Sequence, residues 1–146
     1  MRIAVGSDHA GYRLKQFLAE HLSSLGHEVD DLGTHSEAEV DYPEFGAAVG
    51  RAVIGGGVQL GVCACGTGIG IAIAANKIDG VRAAVVHDAT TARLARAHNH
   101  ANVVCMGGRV VGDEVARDAM SAFLTTEPVV GRHQKRIEEI AGLEAR

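Results

Sequence analysis

LGVCACGTGIG, residues Leu60–Gly70, joins an apolar run of strand length to a turn that is rich in glycine. The run predicts a buried β-strand over 60–64, and the small residues of 71–77 predict a helix after the turn. This order is typical of a parallel sheet with helical crossovers. Three glycines in five residues let backbone N–H groups converge on an anionic oxygen. A tight turn that binds no ligand would need the same glycines, so the turn alone is a weak signal.

Further strands and helices are predicted on both sides of this stretch. The strands fall at 2–7, 27–32, 81–87 and 103–106, and the helices at 12–25, 43–54, 89–97, 113–124 and 132–143. The first helix is predicted to bury one face, formed by Leu14, Phe17, Leu18, His21, Leu22 and Leu25. Gly26 is placed to end that helix, and Asp41 to cap the next one. The pattern predicts one α/β domain over 1–146, a three-layer α/β/α Rossmann-like sandwich with a five-stranded parallel sheet.

Composition narrows the classes of function. The net charge of −4 provides no general basic surface, so we expect no nucleic-acid partner. The sequence has no apolar run of about 20 residues, so we expect no membrane partner. The three cysteines, Cys63, Cys65 and Cys105, form no even disulfide framework. A reducing cytoplasm is the expected location.

Reactive residues follow three of the predicted strands, at the edge where open parallel sheets bind ligands. These segments are SDHAG at 7–11, CGTGIG at 65–70 and GGR at 107–109. Cys65 precedes a helix start and converging amides, which favour a thiolate that can act as base or nucleophile. The alternative is a small buried hydrophobe, which is how Cys63 and Cys105 are interpreted.

Two histidines and three arginines have positions that suit a substrate site. His9 lies beside Asp8, and His98 precedes Asn99 just before the fifth strand. Either imidazole suits acid–base work near neutral pH, and either can also be an ordinary surface residue. The arginines form a separate candidate group for phosphate: Arg109 follows the fifth strand, and Arg132 and Arg136 share one helix face. A solvated basic face explains the last two equally well.

Together these pieces resemble the B-type ribose-5-phosphate isomerases and the related allose- and galactose-6-phosphate isomerases. The matching stretches are SDHAG (7–11), DYP (41–43), CGTGIG (65–70), AANK (74–77), HNHANV (98–103), GGRVVG (107–112) and GRHQKR (131–136). They follow the order and spacing of that family over nearly the whole chain. The resemblance is specific although each piece is not.

The resemblance implies an aldose–ketose isomerase that interconverts ribose 5-phosphate and ribulose 5-phosphate through an enediolate. Cys65 would be the base that moves the proton between C2 and C1. Thr67 and the amides of the glycine turn would stabilise the enediolate oxygen; the turn comprises Gly66, Thr67, Gly68, Ile69 and Gly70. His98 would assist opening of the sugar ring, and Asp8 would help to shuttle protons. The four residues after Gly70 carry no side chain that can take a proton, so the chain groups with family members that use cysteine.

The resemblance also implies how the substrate is bound. Asn99 and Asp8 would contact hydroxyls, and Tyr42 would line the pocket. The phosphate ligands would be His9, Arg109, Arg132 and Arg136. Neither a metal nor another cofactor is expected, and family members are typically dimers or tetramers whose pockets draw residues from two subunits. We therefore expect a homodimer with shared active sites, and a homotetramer is the alternative.

Two alternatives remain open. The glycine turn opens a helix, and Asp88 follows about 20 residues later, as in nucleotide-binding modules that use an acidic ribose contact. That interpretation leaves Cys65, Asp8, His9 and the C-terminal arginines without a role. The second alternative is a six-carbon substrate, allose or galactose 6-phosphate, because pocket length is not evident in one sequence.

Overall fold

A computed structural model of the chain describes residues 1–144. Its five strands are β1 (Arg2–Ser7), β2 (Glu28–Asp31), β3 (Leu60–Cys65), β4 (Ala83–Val85) and β5 (Val103–Gly107). Its helices are α1 (Tyr12–Ser24), α2 (Tyr42–Ile54), α3 (Ile69–Ala75), α4 (Ala89–Asn99), α5 (Asp113–Thr125) and α6 (Arg132–Ala141). The strands form one parallel sheet in the order β2-β1-β3-β5-β4. The predicted three-layer α/β fold is confirmed.

The sheet separates two hydrophobic cores, because alternate residues of each strand point to opposite faces. In β1, Ile3 and Val5 pack with α1, α4 and α5, whereas Ala4 packs with α2 and α3. β3 lies in the middle of the sheet, and all six of its residues are buried. The carboxyl end of β3 is therefore a rigid platform for the residue that ends it, Cys65.

Every element lies within two residues of its predicted bounds, and two of the differences have identifiable reasons. α3 begins at Ile69 rather than at 71, because Gly68 precedes it with φ +79°, a conformation that glycine adopts without strain. β4 is limited to three residues at the sheet edge. Side-chain amides take the N–H groups at its start: Asn102 Oδ1 accepts from Arg82 N–H at 2.7 Å, and Asn76 Oδ1 from Ala83 N–H at 2.8 Å.

The ends of the first two helices test three smaller expectations. Gly26 has φ +86° and follows α1 as predicted. Leu25, predicted to be buried, is about half exposed, whereas Lys15, outside the predicted face, is buried. Asp41 lies at the N-terminus of α2, but its side chain makes no capping hydrogen bond within residues 1–144. No helix in that range is both long and apolar enough to cross a membrane.

Candidate active site

Three loops at the carboxyl edge of the sheet enclose a cavity of about 500 Å³. They follow β1, β3 and β5, the three adjacent strands at the centre of the sheet. The predicted site residues that line the cavity are Asp8, His9, Tyr42, Cys65, Gly66, Thr67, Ile69, Gly70 and Arg109. Ala10 and Ile73 complete the lining. Most of the predicted site residues thus lie together beyond the carboxyl ends of the strands, where open parallel sheets bind ligands.

Backbone hydrogen bonds hold the three loops against one another. Gly108 N–H donates to Cys65 O at 2.8 Å, and Arg109 N–H to Gly66 O at 3.0 Å. On the other side, Asp8 N–H donates to Ala64 O at 3.3 Å. The parallel ladder therefore continues past the strand ends, so the loops keep a fixed spacing around the cavity.

Cys65 lies at the floor of this cavity with 4% of its surface exposed. Its Sγ accepts a hydrogen bond from Gly68 N–H at 3.1 Å. The left-handed conformation of Gly68 turns this N–H back toward the sulfur, and a Cβ at Gly68 would lie 2.8 Å from the backbone of Met106. A backbone donor at a helix start stabilises negative charge on sulfur, so the geometry suits a thiolate base.

The other amides of the glycine turn are partly engaged. Ile69 N–H donates to Thr67 Oγ1 at 3.2 Å, which leaves the hydroxyl hydrogen of Thr67 available to a substrate oxygen. Gly68 N–H donates to the Cys65 sulfur, so two of the five predicted oxyanion amides already have side-chain acceptors. The N–H groups of the first turn of a helix have no intrahelical acceptor, so Gly70 is the better candidate donor.

Asp8 and His9 are both fixed by backbone contacts. Asp8 is 6% exposed, and its Oδ1 accepts from Gly11 N–H at 2.9 Å. His9 Nδ1 lies 3.2 Å from the nitrogen of Val40 and 3.1 Å from its oxygen. Val40 can donate to the bare nitrogen or accept from the protonated one, so it holds the ring in either state.

Arg109 and Tyr42 border the glycine turn. The guanidinium of Arg109 lies over Gly66, 3.4 Å from the position that a Cβ would take there. The ring of Tyr42 packs on Gly70 so closely that a Cβ would be 2.6 Å from Cζ. The turn is therefore flanked by a cation on one side and by an exposed aromatic ring on the other.

His98 and Asn99 do not reach this cavity within one chain. They are the last two residues of α4, and Asn102 follows three residues after Asn99. The carbonyl of Asn102 accepts a hydrogen bond from Gly61 N–H, at the start of β3, at 2.9 Å. Cys65 ends the same strand, about 13 Å away at roughly 3.3 Å per residue. His98 and Asn99 therefore lie at the amino edge of the sheet, and Asn99 lines a separate cavity there of about 260 Å³.

Arg132 and Arg136 lie on α6, beside the same amino edge. His133 of that helix stacks on His98, with ring centroids 4.2 Å apart and planes within 3°. Burial lowers the pKa of His133, and the nearby positive charges of His98, Arg132 and Arg136 lower it further. His133 lies within GRHQKR but is not among the predicted site residues. The structure thus gathers two histidines and two arginines into a second polar cluster.

The remaining cysteines differ from Cys65. Cys63 and Cys105 are register partners inside the sheet and are both fully buried. The pKa of the Cys105 thiol is raised well above its usual range, mainly by a hydrogen bond with Cys63 and secondly by burial. Within residues 1–144, no group of three or more His, Cys, Asp or Glu side chains is arranged to hold a metal ion.

Asp88 does not fit the nucleotide-binding alternative. It caps α4, with its carboxylate accepting from Thr91 N–H at 2.7 Å. β5 separates β4 from β3, so Asp88 follows a strand about 10 Å from the one that carries the glycine turn. The carboxylate predicted to bind a ribose is therefore distant and already engaged.

Comparison with known proteins identifies the family. The family model described as Ribose/Galactose Isomerase matches residues 3–140. The chain belongs to the ribose/galactose isomerase family. Ribose-5-phosphate isomerase B of Escherichia coli is 46% identical, over 99% of this chain and 97% of that protein.

Solved structures agree with this family assignment. The ribose-5-phosphate isomerase B of Clostridium thermocellum superposes with a TM-score of 0.98 at 47% identity, covering 99% of this chain and 98% of that one. The enzyme of Mycoplasma genitalium, solved with bound ribulose 5-phosphate, gives a TM-score of 0.94 at 41% identity, covering 99% and 96%. This member of the ribose/galactose isomerase family is therefore a sugar isomerase by descent, and the nucleotide-binding alternative is weaker.

Proposed function

We propose that this chain interconverts ribose 5-phosphate and ribulose 5-phosphate with Cys65 as the base. The observation that carries the proposal is the Cys65 sulfur at the floor of the cavity, bonded by Gly68 N–H. A proton next to a carbonyl is weakly acidic, so its removal needs a positioned base and donors for the developing oxyanion. Thr67 and the free amides of the glycine turn are those donors.

The proton transfer proceeds through an enediolate. The Cys65 thiolate removes the proton from C2 of the open-chain aldose, and the electron pair moves toward the C1 oxygen. Return of a proton to C1 and loss of the hydroxyl proton at C2 give the ketose. Asp8, beside the base, relays protons between the two oxygens and contacts the substrate hydroxyls.

A second copy of the chain completes the site. The cavity holds the base, His9 and Arg109, whereas the cluster at the other sheet edge holds His98, Asn99, Arg132 and Arg136. In a symmetric dimer the cluster of each copy can cover the cavity of the other, which gives two equivalent sites. The exposed side chains of Ile69 and Ile73 at the cavity support such a covering partner.

In the shared site the two copies have different tasks. Cys65, Asp8 and Thr67 of one copy carry the proton transfer, and Tyr42 lines the pocket. His98 of the other copy opens the ring, and Asn99 binds a hydroxyl. His9 and Arg109 meet Arg132 and Arg136 of the partner around the phosphate, where planar guanidiniums suit its oxygens. We place the enzyme in the cytoplasm, where its three free cysteines stay reduced.

The test is isomerisation by the purified protein after metal chelation. Ribose 5-phosphate should be converted, and in D₂O the ketose should gain deuterium at C1. Cys65→Ser should lose about 100-fold or more in kcat, while its unfolding curve and phosphate affinity match the parent. Near-normal turnover by Cys65→Ser would contradict the assigned base. Faster conversion of allose or galactose 6-phosphate in parallel would favour the six-carbon alternative.

A further inference from the structure

Lys15 is a buried cation that the reaction described above does not use. It lies on α1 with 1% of its surface exposed, although lysine side chains are almost never buried without a partner. Its Nζ donates to Asp31 Oδ1 and to the carbonyl of Thr34, at 2.6 Å in each case. The charge is therefore matched by a carboxylate at the end of β2 and by the backbone of the segment that follows.

That segment, Gly33–Val40, runs over the carboxyl edge of the sheet from β2 toward α2. Its first two residues are bonded to the end of β1: Ser7 N–H donates to Gly33 O, and Thr34 N–H to Ser7 O, both at 2.7 Å. Residues 35–39 are exposed and bury no hydrophobic side chain. Glu37 forms a surface ion pair with Arg13 of α1, and the buried contacts of the segment lie at its two ends.

The other end of the segment carries the contact with His9. Val40 N–H and Val40 O lie 3.2 and 3.1 Å from His9 Nδ1, which fixes the ring that lines the cavity. Asp31 also accepts from Gly33 N–H at 3.0 Å, so one carboxylate joins Lys15 to the start of the segment. Polar contacts at both ends of the segment, joined by the backbone between them, therefore connect α1 to His9.

We propose that Lys15 is a positioning residue, which fixes the imidazole of His9 for phosphate through Asp31, Thr34 and the segment Gly33–Val40. The inference rests on the proposed function, in which His9 is a phosphate ligand. Removing Lys15 leaves the Asp31 carboxylate without its cation, and the segment loses the side-chain anchor that supplements its backbone bonds to Ser7. His9 binds the phosphate and takes no part in the proton transfer, so its misplacement should weaken substrate binding and leave the chemical step largely unchanged.

Lys15→Met tests this because methionine keeps the unbranched shape and most of the length of the side chain without the charge. We expect the KM for ribose 5-phosphate and the Kd for inorganic phosphate to rise about tenfold, with kcat within about threefold. The ring resonances of His9, assigned with His9→Asn, should shift, and amides of residues 33–40 should exchange faster. Asp31→Asn should change the same signals and is the second variant if Lys15→Met fails to fold.

The matched control is Leu22→Ala, which removes a fully buried side chain from the far end of the same helix. It lowers stability without touching the segment, so His9 resonances and KM should stay at parent values. Unchanged His9 resonances in both Lys15→Met and Asp31→Asn would overturn the proposal, as would an equal shift in Leu22→Ala. A third outcome is that the parent enzyme fails to isomerise any sugar phosphate while the His9 resonances of Lys15→Met and Asp31→Asn shift as expected. That result would refute the proposed function and leave the positioning role standing.

Discussion

The contact between Gly11 and the end of β3 allows a quantitative prediction for Gly11→Ala. A Cβ at Gly11 would lie 2.3 Å from the Ala64 carbonyl carbon and 2.6 Å from Cys65 N. Ordinary contact begins at 3.4 Å, so one of the two loops must move by about 1.1 Å. Gly11 has φ −95°, which alanine also adopts, so the cost is steric alone.

The displacement sets the expected magnitudes. Overpacking of this kind costs about 1–3 kcal/mol. At roughly 0.3 kcal/mol per degree for 146 residues, Tm should fall by about 3–10 °C. A shift near 1 Å between Asp8 and Cys65 should lower kcat/KM by roughly 100-fold.

Calorimetry and an isomerisation assay on the same preparation measure both effects. The control is Gly57→Ala, where the nearest atom to the added Cβ would be 3.8 Å away, so both values should match the parent. If Gly11→Ala keeps its Tm within a degree and its kcat/KM within twofold, the close approach of these loops is not what organises the site.

Three further predictions concern charged groups. Arg136→Ala should raise KM for ribose 5-phosphate about tenfold with little change in kcat, and an unchanged KM would contradict its phosphate role. Burial lowers the pKa of His133 below its ordinary 6.5, so as the pH falls the imidazole of the unfolded chain is protonated before that of the folded protein. The free energy of unfolding should therefore decrease as the pH drops below 6.5. His133→Gln should flatten that part of a plot of urea midpoint against pH. Hydrogen bonds from Thr91 lower the pKa of Asp88 below 3.8, so Asp88→Ala should lower the urea midpoint above that pH. That deficit should shrink as the pH falls through the lowered folded-state pKa, and a deficit that does not change with pH would refute the charge argument.

Chain order and hydrophobic periodicity predict the layers of this fold well. Runs such as 60–64 are apolar throughout because both faces of a central parallel strand are covered. The same reasoning places Asp8, Cys65 and Arg109 together, since each follows a strand of one parallel sheet. Local sequence carries this information, so no knowledge of long-range contacts is needed.

The features that sequence reasoning missed depend on long-range contacts. Just before β4, Arg82 N–H bonds to the side chain of Asn102, about 20 residues away, and no periodicity encodes that bond. Lys15 lies on the buried face of α1 with Leu18 and Leu22, and only the fold brings Asp31 and Thr34 to it. The stack of His133 on His98 joins α6 to α4 in the same way.

The most direct test of the proposed shared site mixes two defective variants, Cys65→Ser and His98→Asn. Each alone should lose most ribose 5-phosphate isomerisation. After subunits are exchanged by dilution and reassociation, every mixed dimer has one site with both defects and one with neither. Activity should then recover to roughly a quarter of the parent value in an equal mixture. If mass spectrometry shows mixed dimers and activity stays at the level of the separate variants, Cys65 and His98 of different copies do not form one active site.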